Sequence, residues 1–137
     1  MEPKTALILG ATGGIGGEVA RRLLADGWHV RALTRSSGRE PRATASEWSA
    51  GDAMRAADVA AAAEGTKLIV HAVNPPGYRD WDRLVLPMLD NSIAAAAANG
   101  ARIVLPGTVY NYGPDAFPRI GEVAPQQPLT RKGGIRV

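Results

Sequence analysis

The sequence predicts an α/β domain: a doubly wound parallel sheet of about five strands with helices on both faces. Short apolar runs bounded by glycine or proline alternate with amphipathic stretches. The first run, Thr5 to Leu9, is short, apolar and bounded by glycine, as a strand buried on both faces would be. The stretch LILGATGGIG, residues 7–16, sets four glycines directly behind the first run. Crossovers between successive strands of this kind force a parallel arrangement.

Thr5-Ala6-Leu7-Ile8-Leu9 is the first expected strand. Ile15, Val19, Leu23 and Leu24 then recur at helical spacing, and Gly27 follows Ala25-Asp26 as a left-handed helix stop would. His29 to Thr34 is the second strand. Residues 35–45 (RSSGREPRATA) are polar, carry Gly and Pro, and read as a loop. Glu47-Trp48-Ser49-Ala50 is a weak third strand, and Asp52 is placed to cap a helix running through Met54, Ala57, Val59 and Ala60 to Gly65. Lys67 to Val73 is the fourth strand, stopped by Asn74-Pro75-Pro76-Gly77. A long helix is expected from about Asp80 to Asn99, with Leu84, Met88, Leu89, Ser92, Ile93 and Ala96 on one face. Pro87 inside that pattern predicts a kink or a late start. Arg102 to Pro106 is the fifth strand. Beyond Tyr112 the chain is rich in Pro and Gly and has no further periodic element. A doubly wound nucleotide domain ordinarily continues to a sixth strand, so the chain reads as cut short.

A length of 137 residues fits one core, and the absence of cysteine excludes disulfides and thiolate chemistry, which points to a reducing cytoplasm. No apolar stretch reaches the ~20 residues of a membrane span, and the start lacks a signal-peptide pattern. A net charge of +3 on scattered basic residues argues against a nucleic-acid partner. His29 and His71 fall on strands without metal-ligand spacing, so no metal is expected.

Gly10, Gly13 and Gly16 have the spacing G-x-x-G-x-x-G at the turn from first strand to first helix. Helix-start N–H groups and the positive end of the helix dipole favour a phosphate there. Glycine lets the backbone turn tightly and approach a pyrophosphate. The loop Gly10, Ala11, Thr12, Gly13, Gly14, Ile15 and Gly16 is therefore the candidate dinucleotide-phosphate site. At the end of the second strand, Leu33-Thr34-Arg35-Ser36-Ser37 offers no carboxylate for a ribose 2′-hydroxyl. Arg35 offers a planar fork for a 2′-phosphate, and Ser36 adds a hydroxyl, which favours NADP over NAD, with NAD as the alternative.

The glycine spacing resembles the T-G-x-x-G-x-x-G of the extended branch of the short-chain dehydrogenase/reductase superfamily, with Leu9 in place of the leading Thr. Gly51-Asp52, Val70-His71-Ala72-Val73-Asn74 and Val109-Tyr110-Asn111-Tyr112-Gly113-Pro114 resemble further motifs of its epimerase/dehydratase-like members. The resemblance covers nearly the whole chain but only the N-terminal half or less of such a protein. It implies a Rossmann-type sheet in strand order 3-2-1-4-5, with residues 1–113 as the dinucleotide-binding part. Residues 114–137 would be a Pro/Gly-rich loop and the start of a catalytic region. It also implies that Asp52, with Ala53, meets the adenine amino group, and that Ala72, Val73 and Asn74 lie beside the adenine ribose and nicotinamide.

In that superfamily a Tyr-x-x-x-Lys pair and a Ser or Thr share proton transfer with the substrate oxygen. The resemblance places the hydroxyl at Thr108 and the lysine at Lys132, but Pro128 stands where the tyrosine belongs. Tyr112, or Tyr110, is then the candidate phenol. The leading expectation is an NADP-dependent oxidoreductase or a sugar-nucleotide epimerase/dehydratase-like enzyme acting on a small molecule not identified by the sequence. The alternatives are a non-catalytic NADP-binding sensor, favoured by the missing tyrosine, and a domain whose glycines only shape a turn. The exposed fifth strand further predicts self-association or a longer parent chain.

Overall fold

The computed structural model describes residues 2–35 and 44–137. Nothing interrupts the apolar run of β1 (Thr5–Leu9), and Ala6, Leu7, Ile8 and Leu9 are all but inaccessible to solvent. α1 (Gly14–Ala25) follows the glycine loop. It ends as its sequence predicts: Gly27 has φ +82°, Gly27 N donates to Leu24 O and Trp28 N to Leu23 O, a Schellman closure.

β2 (His29–Thr34) and β3 (Glu47–Ala50) occupy their expected spans. Most of the 35–45 loop, including Ser36, lies outside the described residues. α2 (Ala56–Ala62) starts later than expected, with Arg55 and not Asp52 at its N-cap. Asp52 Oδ1 instead accepts from Met54 N at 2.9 Å, closing a turn ahead of the helix. β4 (Leu68–His71) is followed by a short 3₁₀ turn at Pro76–Tyr78 and then by α3 (Trp81–Asn99).

α3 runs through Pro87 without a late start. Pro87 is exposed, so water can reach the carbonyl that its missing N–H leaves free. The buried stripe of α3 is Trp81, Met88, Ser92, Ala95 and Ala96; Ile93, expected on that stripe, is half exposed. Gly100, at φ +59°, closes the helix, and β5 (Arg102–Val104) completes the sheet.

All strand pairs are parallel and the order is β3-β2-β1-β4-β5. β1 is central: Ile8 lies opposite both Ala32 and Val70. Leu7 and Leu9 turn to one face, where Val59 and Ala62 of α2 and Met88, Ala95 and Ala96 of α3 cover them. Ile8, Val30, Ala32 and Val70 turn to the other, against Ala20, Val19, Leu23 and Leu24 of α1. The sheet is therefore doubly wound. Its order reverses at β1, between β2 and β4, and ligands of such sheets bind at the carboxyl ends of the strands there.

Residues up to Leu105 form one compact unit and residues from Pro106 a second. The second carries 3₁₀ turns at Val109–Asn111 and Pro114–Ala116 and ends in α4 (Arg131–Arg136). Thr130 Oγ1 caps α4 by accepting from Gly133 N at 3.0 Å.

Candidate dinucleotide site

A cleft of about 680 Å³ opens at the carboxyl ends of β1, β2, β3 and β4. This lies within the range of small-molecule sites, roughly 300–1,000 Å³. Its walls are contributed by four segments that the chain brings together from far apart: 9–15, 33–35, 51–54 and 72–75, with Leu84 and Met88 of α3 as an apolar backing.

The glycines of the first segment divide by what each one touches. Gly10 has φ +89°, and a Cβ there would lie 2.4 Å from Ala72 O; the β1 and β4 ends approach too closely for any side chain. A Cβ at Gly16 would lie 2.1 Å from Gly10 O. The chain itself requires both. Gly13 differs: it has φ −85° and ψ 173°, open to any residue, and a Cβ would meet only Gly10 O, at an ordinary 3.4 Å. Gly14 has open space around it. Both line the cleft. The protein's own packing thus leaves the absence of side chains at residues 13 and 14 unexplained, whereas an occupant of the cleft would explain it.

Gly13 N donates to Gly10 O at 3.1 Å, and the first helical bond, Gly17 N to Gly13 O, is 2.9 Å. The N–H groups of Gly14, Ile15 and Gly16 therefore precede the intrahelical ladder, at the positive end of a 12-residue helix. Gly10, Thr12, Gly13, Gly14 and Ile15 line the cleft; Ile15 is 59% exposed and does not join the core as its spacing predicts. Ala11 is packed into the core against Ile8 and Ala20, and Gly16 lies behind the loop against Gly10. These residues fit a pyrophosphate: backbone donors, a helix dipole, and no side chain in the way.

Arg35 lines the cleft at the end of β2. Asp52, Ala53 and Met54 form the wall beyond β3, with Leu33 beside them. Asp52 N donates to Asp58 Oδ2 at 2.9 Å, and Asn91 Nδ2 donates to Ala53 O at 2.9 Å. Gly51 packs where a Cβ would fall 2.9 Å from Asp58 Cβ and from Leu33 Cδ1. On the β4 side, Ala72, Val73 and Asn74 line the cleft as expected. His71, 4% exposed, is a core residue whose Nδ1 lies 2.8 Å from Ser92 Oγ of α3.

In the second unit, Thr108 Oγ1 donates to Asn111 Oδ1 at 2.9 Å, and Tyr112 is half-buried where the Val109–Asn111 turn ends. The Lys132 ammonium lies 5.3 Å from the centroid of the Tyr110 ring. α4 passes so close to the Tyr110 carbonyl that a Cβ at Gly133 would lie 2.1 Å from it, which brings Lys132 to Tyr110. Lys132 is thus joined to Tyr110 in this unit.

Away from the cleft, His29 Nε2 lies 3.1 Å from Glu47 Oε2, and Arg31 Nε donates to the same oxygen at 3.2 Å. His29 first and Arg31 second hold the Glu47 carboxyl below the ordinary carboxylate range. Arg31 Nη1 also donates to Ala62 O and Glu64 O, tying the carboxyl end of α2 to β2. Among the described residues no helix is long and apolar enough to cross a membrane, and no His/Cys/Asp/Glu group could hold a metal ion.

A family model described as NAD(P)H-binding matches residues 10–132. The chain belongs to the NAD(P)H-binding family. No curated protein sequence matches it significantly. Among solved structures it is similar to a UDP-N-acetylglucosamine 4-epimerase from Bacillus cereus, at 20% identity over 97% of this chain and 51% of that one, with a TM-score of 0.77. It is also similar to uronate dehydrogenase from Agrobacterium tumefaciens, at 28% identity over 99% of this chain and 53% of that one, with a TM-score of 0.74. A mutant of the same dehydrogenase complexed with NAD matches at 26% identity over 98% of this chain and 52% of that one, with a TM-score of 0.76. The chain spans about half the length of these proteins. Its fold is that of extended short-chain dehydrogenase/reductases, and the family it belongs to binds nicotinamide dinucleotides.

Sequence reasoning assigned no site role to Met54 and Met88, which line the cleft of this NAD(P)H-binding chain, or to Asp58 and Asn91, which hold the backbone of its 51–54 wall. Asp58 and Asn91 act on backbone groups that are remote in sequence or off the helical period, so no periodic signal marks them. The methionines read only as core.

Proposed function

We propose that this chain is the cofactor-binding part of an NADP-dependent oxidoreductase or a sugar-nucleotide epimerase/dehydratase-like enzyme. One observation carries the cofactor reading: Gly13 and Gly14 line the cleft at a helix N-terminus, and no neighbouring protein atom forbids a side chain there. The dinucleotide supplies hydride exchange when bound. The glycine loop holds its pyrophosphate, and Arg35 meets the 2′-phosphate as a bidentate donor. Asp52 accepts from the adenine amino group at the rim of the apolar slot of Leu33, Ala53 and Met54. Ala72, Val73 and Asn74 flank the ribose and nicotinamide.

For the proton relay we propose Thr108, Tyr112 and Lys132, with Tyr110 as the competing phenol because Lys132 lies over its ring. Uronate dehydrogenase and the 4-epimerase support a sugar-derived substrate class. The test is a titration of intrinsic or NADPH fluorescence, followed by a hydride-transfer assay with uronates and UDP-sugars. Absence of NADPH and NADH binding removes the cofactor reading.

A second reading, a dinucleotide-binding sensor without turnover, is favoured by Pro128 at the position of the superfamily's tyrosine. Tight NADPH binding together with no hydride transfer in the longest natural form of the chain selects it.

A further inference from the structure

The loop at 51–54 is held from two helices that otherwise belong to the core. Five of its backbone groups are tied down: Gly51 N donates to Thr34 O at 2.8 Å, Met54 N to Asp52 Oδ1 at 2.9 Å, and Asp52 O accepts from Arg55 N at 2.9 Å. Asp52 N donates to Asp58 Oδ2 of α2, and Ala53 O accepts from Asn91 Nδ2 of α3, both at 2.9 Å. The first two bonds come from the adjacent strand and from within the loop. The last two are side-chain contacts that reach the loop from α2 and α3, beside the Arg55 N–H bond at the start of α2 and the apolar packing of Ala53 and Met54. Ala53 is 7% exposed and Asn91 half-buried, so water replaces the Asn91 amide poorly.

Asp52 therefore reaches the cleft with little freedom. One carboxylate oxygen is engaged by Met54 N, its main chain is gripped by Asp58, and the next carbonyl is gripped by Asn91. A directional bond to a ligand gains from such pre-organisation, because the ordering is complete before binding.

We propose that Asp58 and Asn91 are positioning residues that aim the Asp52 carboxylate, and that they set how strongly the site selects a base bearing an exocyclic amino group. The inference rests on the dinucleotide reading above. Asn91 acts as donor and Asp58 as acceptor, so each has its own diagnostic substitution. Asn91→Asp keeps size and removes the donor. Asp58→Ala removes the acceptor, while Asp58→Asn keeps one in its amide oxygen.

The experiment compares, in the full chain, the dissociation constants of NADPH and of deamino-NADPH, in which the adenine amino group is replaced by oxygen. Facing a carboxylate, that replacement turns a donor into an acceptor. The wild-type chain is expected to prefer NADPH about tenfold, on the scale of one charge-assisted hydrogen bond. Asn91→Asp and Asp58→Ala should bring the ratio to within about threefold of unity, and Asp58→Asn should restore it. A general loss of stability would weaken both ligands alike and leave the ratio unchanged.

Wild-type preference retained by Asn91→Asp and Asp58→Ala overturns the inference while leaving the cofactor reading intact, and so does equal wild-type affinity for the two dinucleotides. Failure of the wild type to bind either one overturns the cofactor reading itself. Should Asn91→Asp not fold, the Asp58→Ala and Asp58→Asn pair decides alone.

Discussion

A side chain at residue 13 should abolish dinucleotide binding and leave the fold standing. In Gly13→Val the new Cβ lies 3.4 Å from Gly10 O, an ordinary contact, and the backbone at φ −85° and ψ 173° suits a β-branched residue. Loss of a favoured N-cap glycine is offset by a less flexible unfolded chain, so stability changes by no more than about 1 kcal/mol. That corresponds to a melting shift of about 4 °C for a chain of this size. Binding is another matter. The two methyl groups occupy the space into which the loop N–H groups point, and losing two charge-assisted bonds at about 1.5 kcal/mol each removes about 3 kcal/mol, more than 100-fold in affinity. The companion Gly16→Ala should behave in the opposite way: its Cβ would lie 2.1 Å from Gly10 O, and overpacking of that kind costs roughly 1–3 kcal/mol of stability. Thermal melts and NADPH titrations of both variants make the assay. Wild-type affinity in Gly13→Val, or a Gly13→Val chain that does not fold, would refute the argument that a ligand and not the fold requires this glycine.

Arg35→Asp should weaken NADPH far more than NADH, since a bidentate contact becomes a repulsion only where a 2′-phosphate is present; equal weakening in parallel titrations removes the NADP preference. Glu47→Gln tests the edge network at β2 and β3. The folded pKa of Glu47 is lowered from 4.5, so its stabilisation is present above that pH and is lost as pH falls through the lower folded value. Glu47 is 48% exposed, so the deficit of the variant at neutral pH should be at most about 1 kcal/mol and should vanish in acid; a deficit independent of pH in denaturant melts contradicts the assignment. Tyr112→Phe should remove hydride transfer at unchanged NADPH affinity, while Tyr110→Phe should retain it; the reverse outcome transfers the proton relay to the phenol beside Lys132.

The sequence by itself determined the fold class, the element order, the strand boundaries of β2 and β3, the helix stop at Gly27 and the place of the glycine loop between β1 and α1. These are local matters: the uninterrupted run of β1, the periodicity of α1 and the special backbone needs of glycine are written in consecutive residues. The tertiary structure decided what depends on partners distant along the chain. Gly10 and Gly16 answer to neighbouring backbone and Gly13 does not, a distinction invisible in their identical spacing. Asp52 closed a turn and did not cap the helix: its carboxylate accepts from Met54 N, Asp58 holds its main-chain N–H, and Arg55 stands at the N-cap of α2. The stripe of α3 turned to bury Ala95 and leave Ile93 half exposed, because close packing on Leu7 and Ile69 suits a small side chain. Asn91 gained its role from a carbonyl 38 residues earlier in the chain, brought within reach by a parallel sheet whose order reverses at β1.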